Sequence, residues 1–175
     1  MNQKIVPHTI LLIGLVLLTS CTTNATVETN AETVVSTAAE IADFDLPAGY
    51  YTDFSTSLMG YTIASFRPDD EHSHLYFIQF EKEVDGENLA QMLDKLLPGT
   101  SDPQTRMTVI ETRPIILRGQ EVTLVTSEGI SSDGETYRQM TVAFQGKGGP
   151  ALLVLSEPAS RWDQETVDTF LASIQ

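Results

Sequence analysis

The chain has 175 residues, enough for one ordinary domain once a leader is removed, and 41% of them are apolar, enough for a packed core. Twenty-four carboxylates face ten Lys and Arg, and such an acidic surface repels nucleic-acid phosphates and anionic headgroups, so nucleic acid is not an expected partner. A single cysteine, Cys21, excludes an internal disulfide and a cysteine-built zinc cage.

The N-terminus reads MNQKIVPHTILLIGLVLLTSC. Lys4 and the terminal amine supply a thin positive region, and Ile10 to Leu18 is an apolar run. A bilayer span takes roughly 20 apolar residues, so this run is too short for one and suits a secretory signal. It leads into Leu18-Thr19-Ser20-Cys21, which resembles the bacterial lipoprotein lipobox: a Leu, two small residues and an obligatory Cys. The resemblance implies cleavage before Cys21 and a covalent diacylglyceryl lipid on its sulfur, with further acylation such as palmitate. Cys21 is thus the expected lipid-attachment residue, residues 1–20 the signal peptide, and the cell envelope the location. Thr22, in place of an Asp, favours the outer membrane if the cell is Gram-negative. With Lys4 lost alongside the leader, the mature chain carries 24 carboxylates against 9 cations, a net charge of −15.

Residues 21–43 contain Thr, Ala, Glu and Asn with no Gly, Pro or aromatic residue, and read as a disordered tether behind the lipidated Cys. A flexible chain of that length spans about 25 Å on average and roughly 70 Å when extended, which would let the domain stand clear of the membrane.

A single folded domain is expected over 44–175. "FDLPAGYY" is a turn leading into an extended segment. "MGYTIASFRP" alternates and reads as a strand ending at Pro68. "HLYFIQF" is apolar on both faces, as in a strand central to its sheet. Leu89, Met92, Leu93 and Leu96 recur at helical spacing and predict a helix over 85–97. From "RMTVIETRP" onward the pattern predicts a four-stranded antiparallel meander, with turns at Arg118-Gly119, Asp133-Gly134 and Gly146 to Pro150. Ser160 and Asp163 suggest a capping box for a closing helix over 162–174, with Val167, Phe170, Leu171 and Ile174 as its apolar stripe and Trp162 against the sheet. The fold class is therefore α+β: a mainly antiparallel sheet of six to seven strands with a mid-chain and a C-terminal helix.

"FDLPAGY", the helix at 85–97, the "ETRPIILRGQEVTLVTSE" hairpin and the closing "RWDQETVDTFLASI" together resemble the PsbP-like and DcrB-like domains, small α+β domains often secreted or lipid-anchored in bacteria. That resemblance implies an assembly or interaction module without catalytic residues.

Four constellations carry candidate chemistry. Asp69-Asp70-Glu71-His72-Ser73-His74 is the richest; on a strand His72 and His74 would share a face and supply half of a metal site. Gly146-Lys147-Gly148-Gly149 lacks the Ser or Thr and the following helix of a phosphate loop, and reads as a hairpin turn. Arg106, Arg113, Arg118 and Arg138 would form a basic stripe if they shared a face. A hydrolytic triad has only His72 and His74 to draw on after leader removal, with no G-x-S-x-G elbow.

The leading expectation is a lipid-anchored envelope protein with a non-catalytic domain that binds an envelope protein or a glycan, using no cofactor beyond its lipid. The alternatives are a metal-binding envelope factor using His72 and His74, and a small hydrolase.

Overall fold

The computed structural model describes residues 26–58, 60–70, 72–82, 107–131 and 134–175. Cys21 and the helix expected over 85–97 lie outside these residues. Among the described residues the fold is α+β: one eight-stranded sheet, antiparallel at every described pairing, and two helices. The elements in chain order are β1 (Thr26–Glu28), α1 (Ala31–Ile41), β2 (Tyr51–Leu58), β3 (Tyr61–Arg67), β4 (His74–Phe80), β5 (Thr108–Leu117), β6 (Gln120–Ile130), β7 (Thr136–Gln145), β8 (Pro150–Pro158) and α2 (Gln164–Ser173). The strand order is β1-β2-β3-β4-β8-β7-β6-β5.

The stretch expected to be a disordered tether departs from that reading from Thr26 onward. β1 pairs with β2 in the register Thr26 to Ser57 and Glu28 to Ser55. α1 then buries Val34, Ala38 and Ile41 completely, at i, i+4 and i+7, on one helical face. Asn30 caps α1, its side chain accepting from the N–H of Thr33 at 3.1 Å. The stripe is easy to overlook because its members are small or β-branched and sit among Thr, Ser and Glu. β1 is also the strand by which the sheet exceeds the expected six to seven.

Strand alternation divides the apolar side chains between two faces. The face under both helices holds the larger core: Phe66 from β3, Leu75 and Phe77 from β4, Leu153 and Leu155 from β8, Met140 and Val142 from β7, and Leu124 from β6, against Val34 and Ile41 of α1 and Val167 and Phe170 of α2. Phe44 stacks on Phe77 with ring centres 4.3 Å apart and meets Phe170 edge-on at 6.2 Å. The opposite face holds Ile63, Tyr76, Ile78, Phe80, Leu152 and Val154, all buried. β4 and β8 thus contribute to both cores, which is why "HLYFIQF" is apolar throughout.

The expected meander is present. β5 and β6 are joined by Arg118 and Gly119, with φ of 50° and 73°, the doubly left-handed backbone of a primed two-residue turn. The β6–β7 connection is longer than the two-residue turn expected from Asp133-Gly134: the Ser131 N–H donates to the Glu135 carbonyl at 2.9 Å before the strands resume at Ile130 and Thr136. α2 is capped by Asp163, whose carboxylate accepts from the N–H groups of Glu165 and Thr166, rather than by Ser160. Its expected stripe of Val167, Phe170, Leu171 and Ile174 is buried.

Candidate functional site

Asp70, His74, Tyr50 and Glu157, polar side chains with unusual surroundings, gather at one end of the sheet, where β3 finishes and β4 begins. Asp70 organises the turn between them. Its Oδ1 accepts from the N–H groups of His72 (2.9 Å) and Ser73 (2.6 Å), and its Oδ2 accepts from Ser73 Oγ (3.2 Å) and from the Arg161 guanidinium. Burial alone would raise the Asp70 pKa; the hydrogen bonds from His72 and Ser73 and the Arg161 charge outweigh it and hold the carboxyl below its ordinary value.

His72 and His74 do not share a strand face. β4 starts at His74, and His72 belongs to the preceding turn. His72 is exposed, its ring edge-on to Tyr137 at 6.4 Å. His74 is half-buried and stacks on Tyr76 with ring centres 5.7 Å apart. Its Nδ1 is buried without a hydrogen-bond partner among the described residues. Burial lowers its pKa below the ordinary 6.5, with Arg67 and His72 acting in the same direction and Asp53 and Asp70 opposing. Tyr76 beside it is pushed up to about 12 by burial and by Asp53.

For a metal ion, this set offers two imidazoles from different local structures and a carboxylate, Asp70, whose oxygens are already committed to four donors. Among the described residues no group of three or more His, Cys, Asp or Glu is arranged to hold a metal. For hydrolysis, Ser65 Oγ donates to Asp53 Oδ2 at 3.2 Å, and Asp53 also meets Arg67 at 3.2 Å. Among the described residues no hydrogen bond joins Ser65 to His74, so this trio does not form the nucleophile–base–carboxylate chain of a triad.

On the helix-bearing face at the same end lies a second cluster that sequence reasoning missed. The Tyr50 hydroxyl donates to Glu157 Oε2 at 3.3 Å. Burial raises the pKa of both groups, against the pull of Arg161. Arg138 stands opposite Glu128 on β6 and Glu157 on β8. It donates through Nε to Glu128 at 2.9 Å and lies 5.4 Å from the Trp162 ring centre. The only available signal was the alternation of Arg138 with Met140 and Val142, which places all three on one face.

Among the described residues, Arg113, Arg118 and Arg138 of the meander do not form a free basic stripe. Arg113 pairs with Asp168 of α2 and lies 3.7 Å from Glu111. Arg118 donates to the Gln145 carbonyl at 2.7 Å, and Arg138 pairs with Glu128; Arg106 lies outside the described residues. Gly146 to Gly149 forms the β7–β8 turn, closed by the Gly146 N–H to the Gly149 carbonyl at 2.8 Å. Its lysine serves α1, whose last turn contains no basic residue. The Lys147 N–H donates to the Ile41 carbonyl (2.8 Å), and Nζ donates to the Ala39 carbonyl (2.9 Å) and to Asp43 Oδ1 (2.6 Å). A cation there satisfies orphan carbonyls and opposes the helix dipole.

At the other edge of the sheet a recess of about 260 Å³ opens between β1, β2 and the start of α1, lined by Thr26, Glu28, Thr33, Thr37, Ser55 and Ser57 among others. Ser55 is buried within it and accepts from Thr37 Oγ1 at 3.4 Å.

No protein-family model matches the chain, and no curated protein matches it significantly.

Proposed function

We propose that this protein is a lipid-anchored component of the bacterial cell envelope whose α+β domain binds an envelope protein or a glycan without catalysis. The observation that carries this reading is Leu18-Thr19-Ser20-Cys21 directly behind a nine-residue apolar run, with Cys21 the sole cysteine of the chain. A thiol at that position is the nucleophile that transfer of a diacylglyceryl group to the Cys21 sulfur requires, as a thioether. Cleavage before Cys21 and two or three acyl chains would hold the protein stably on the membrane, since a single chain binds only marginally. Among the described residues no helix is long and apolar enough to cross a membrane. The antiparallel sheet with its closing helix is compatible with a PsbP-like or DcrB-like interaction module. The four donors already committed to Asp70 favour a structural role for that carboxylate.

The test is the intact mass of the protein from the membrane fraction beside a Cys21→Ala variant. A mass equal to residues 21–175 plus two or three acyl chains, absent in the variant, supports the reading. An unmodified full-length mass overturns it.

A further inference from the structure

We infer that the folded domain is held against the membrane that carries it, with the corner formed by Thr26 and the β2–β3 turn towards the lipid headgroups and the polar clusters around Asp70 and Glu157 on the side facing away; this rests on the proposed lipidation of Cys21.

Leash length limits how far the domain can stand from the lipid. With a tether running to residue 43 the domain would range tens of ångströms above the bilayer. Instead, Thr26 is already paired to Ser57 in the sheet, and only five peptide steps separate it from Cys21. Even at full extension five steps reach about 17 Å. No conformation of those residues can lift Thr26 further from the lipidated sulfur's backbone.

The register shows which part of the domain is tied down. Thr26 sits opposite Ser57, one residue from the β2–β3 turn, where Leu58 pairs with Tyr61. Tyr61 in turn pairs with Phe80 at the end of β4. The tied corner is therefore at once the β1 edge and the end of the sheet where β2 and β4 finish. Arg67, His74 and Pro158 mark the opposite ends of β3, β4 and β8. Six residues of strand separate Tyr61 from Arg67, about 20 Å. Asp70, Arg161, Glu157 and Tyr50 cluster at that far end. Across the sheet, seven strand spacings put β5 roughly 34 Å from β1. Charge adds no attraction at the tied corner, where Glu28 and Glu32 are exposed; the leash alone keeps that corner near the headgroups, while a net charge of −15 on the mature chain disfavours rolling the rest of the domain onto anionic headgroups.

The consequence is an orientation. A partner reaches the Asp70–Glu157 end from the aqueous side, while the hydroxyl-lined recess beside Thr26 and Ser57 faces lipid.

The experiment uses the full lipidated chain in vesicles of phosphatidylethanolamine and phosphatidylglycerol containing a headgroup-attached quencher. Cys21 is blocked by its lipid, so a fluorophore on Ser57→Cys or on Ser160→Cys reports one corner at a time; both positions are exposed. The expected result is several-fold stronger quenching at position 57 than at 160, and loss of that difference when 20 Gly/Ser residues are inserted between Ala25 and Thr26. Equal quenching at both positions in a chain whose acylation is verified by mass overturns the orientation and leaves the lipid anchor standing. A difference that survives the insertion also overturns it, because leash length would then not be the cause. A chain without acyl mass overturns both readings.

Discussion

Asp43 and Gln175 exchange a pair of backbone hydrogen bonds: the Asp43 N–H donates to the Gln175 carbonyl at 3.1 Å, and the Gln175 N–H donates to the Asp43 carbonyl at 2.8 Å. The last residue of the chain is thereby fastened to the segment leaving α1. The neighbouring Asp45 N–H adds a bond to Ser173 Oγ at 3.0 Å. A stretch with the composition of a linker is thus hydrogen-bonded to the C-terminus on one side and packed into the core on the other.

α1 should therefore contribute to global stability. Ile41→Ala removes a fully buried side chain and is expected to cost about 2–5 kcal/mol. The exposed neighbour change Glu40→Ala should shift stability by less than about 0.5 kcal/mol. Urea unfolding followed by circular dichroism checks both, and equal midpoints for the two variants would show that α1 is not part of the cooperative unit.

Lys147 links the β7–β8 turn to the C-terminal end of α1. Both its charged group and Asp43 are substantially exposed, so Lys147→Gln is expected to cost only about 0.5–1 kcal/mol. The loss should shrink in 1 M salt, where exposed charges are screened. Denaturant midpoints at low and high salt measure it; a salt-independent loss would assign the effect to packing of the lysine stem.

Asp70 makes acid stability predictable in sign. Its folded pKa lies below the ordinary 3.8, so its stabilising contribution is present above that value and is lost as pH falls through the folded pKa. Asp70→Asn should be less stable than the parent chain at pH 7. The gap should narrow by pH 3, as read from urea midpoints at the two pH values. A constant gap would mean that the carboxylate charge contributes nothing.

His74 acts at milder pH. Burial holds its folded pKa below 6.5 among Asp53, Arg67, Asp70 and His72. The unfolded chain then binds the proton more readily, and stability declines as pH drops below about 6.5 towards the folded value. His74→Gln, which cannot titrate, should lose less stability than the parent between pH 7 and pH 5. Identical pH profiles for the two proteins would rule out His74 as the group responsible.

The lone tryptophan offers an optical probe of the second cluster. Trp162 is partly buried against the core with the Arg138 guanidinium over its ring. Arg138→Ala removes that contact and the pair with Glu128, and should cost on the order of 1 kcal/mol. Trp162 emission should shift to longer wavelength, while far-ultraviolet circular dichroism stays unchanged. An unshifted emission maximum would place the ring outside the influence of Arg138.

Local signals accounted for much of the fold. The β3 stop at Pro68, the turn at Arg118-Gly119, the doubly apolar "HLYFIQF" and the stripe from Val167 to Ile174 each depend on chemistry within a few residues, and the structure contains all of them. The candidate site was less legible. His72 and His74 were visible as residue types, but strand parity could not apply once β4 began at His74. Tyr50 and Glu157 are 107 positions apart, and nothing in either neighbourhood announces the other.

By itself, the sequence determined an acidic chain, an α+β class with a mainly antiparallel sheet, and a four-stranded meander. Tertiary structure decided that residues 26–43 belong to the fold, that Lys147 serves the end of α1, and that Arg113, Arg118 and Arg138 each engage a neighbouring acceptor. The reason is physical. Turn chemistry and hydrophobic period are encoded within a few consecutive residues. The burial of Val34, Ala38 and Ile41 depends on a sheet whose strand β8 begins only at Pro150, and a short helix of modest amphipathicity is stable only when that surface is there to receive it.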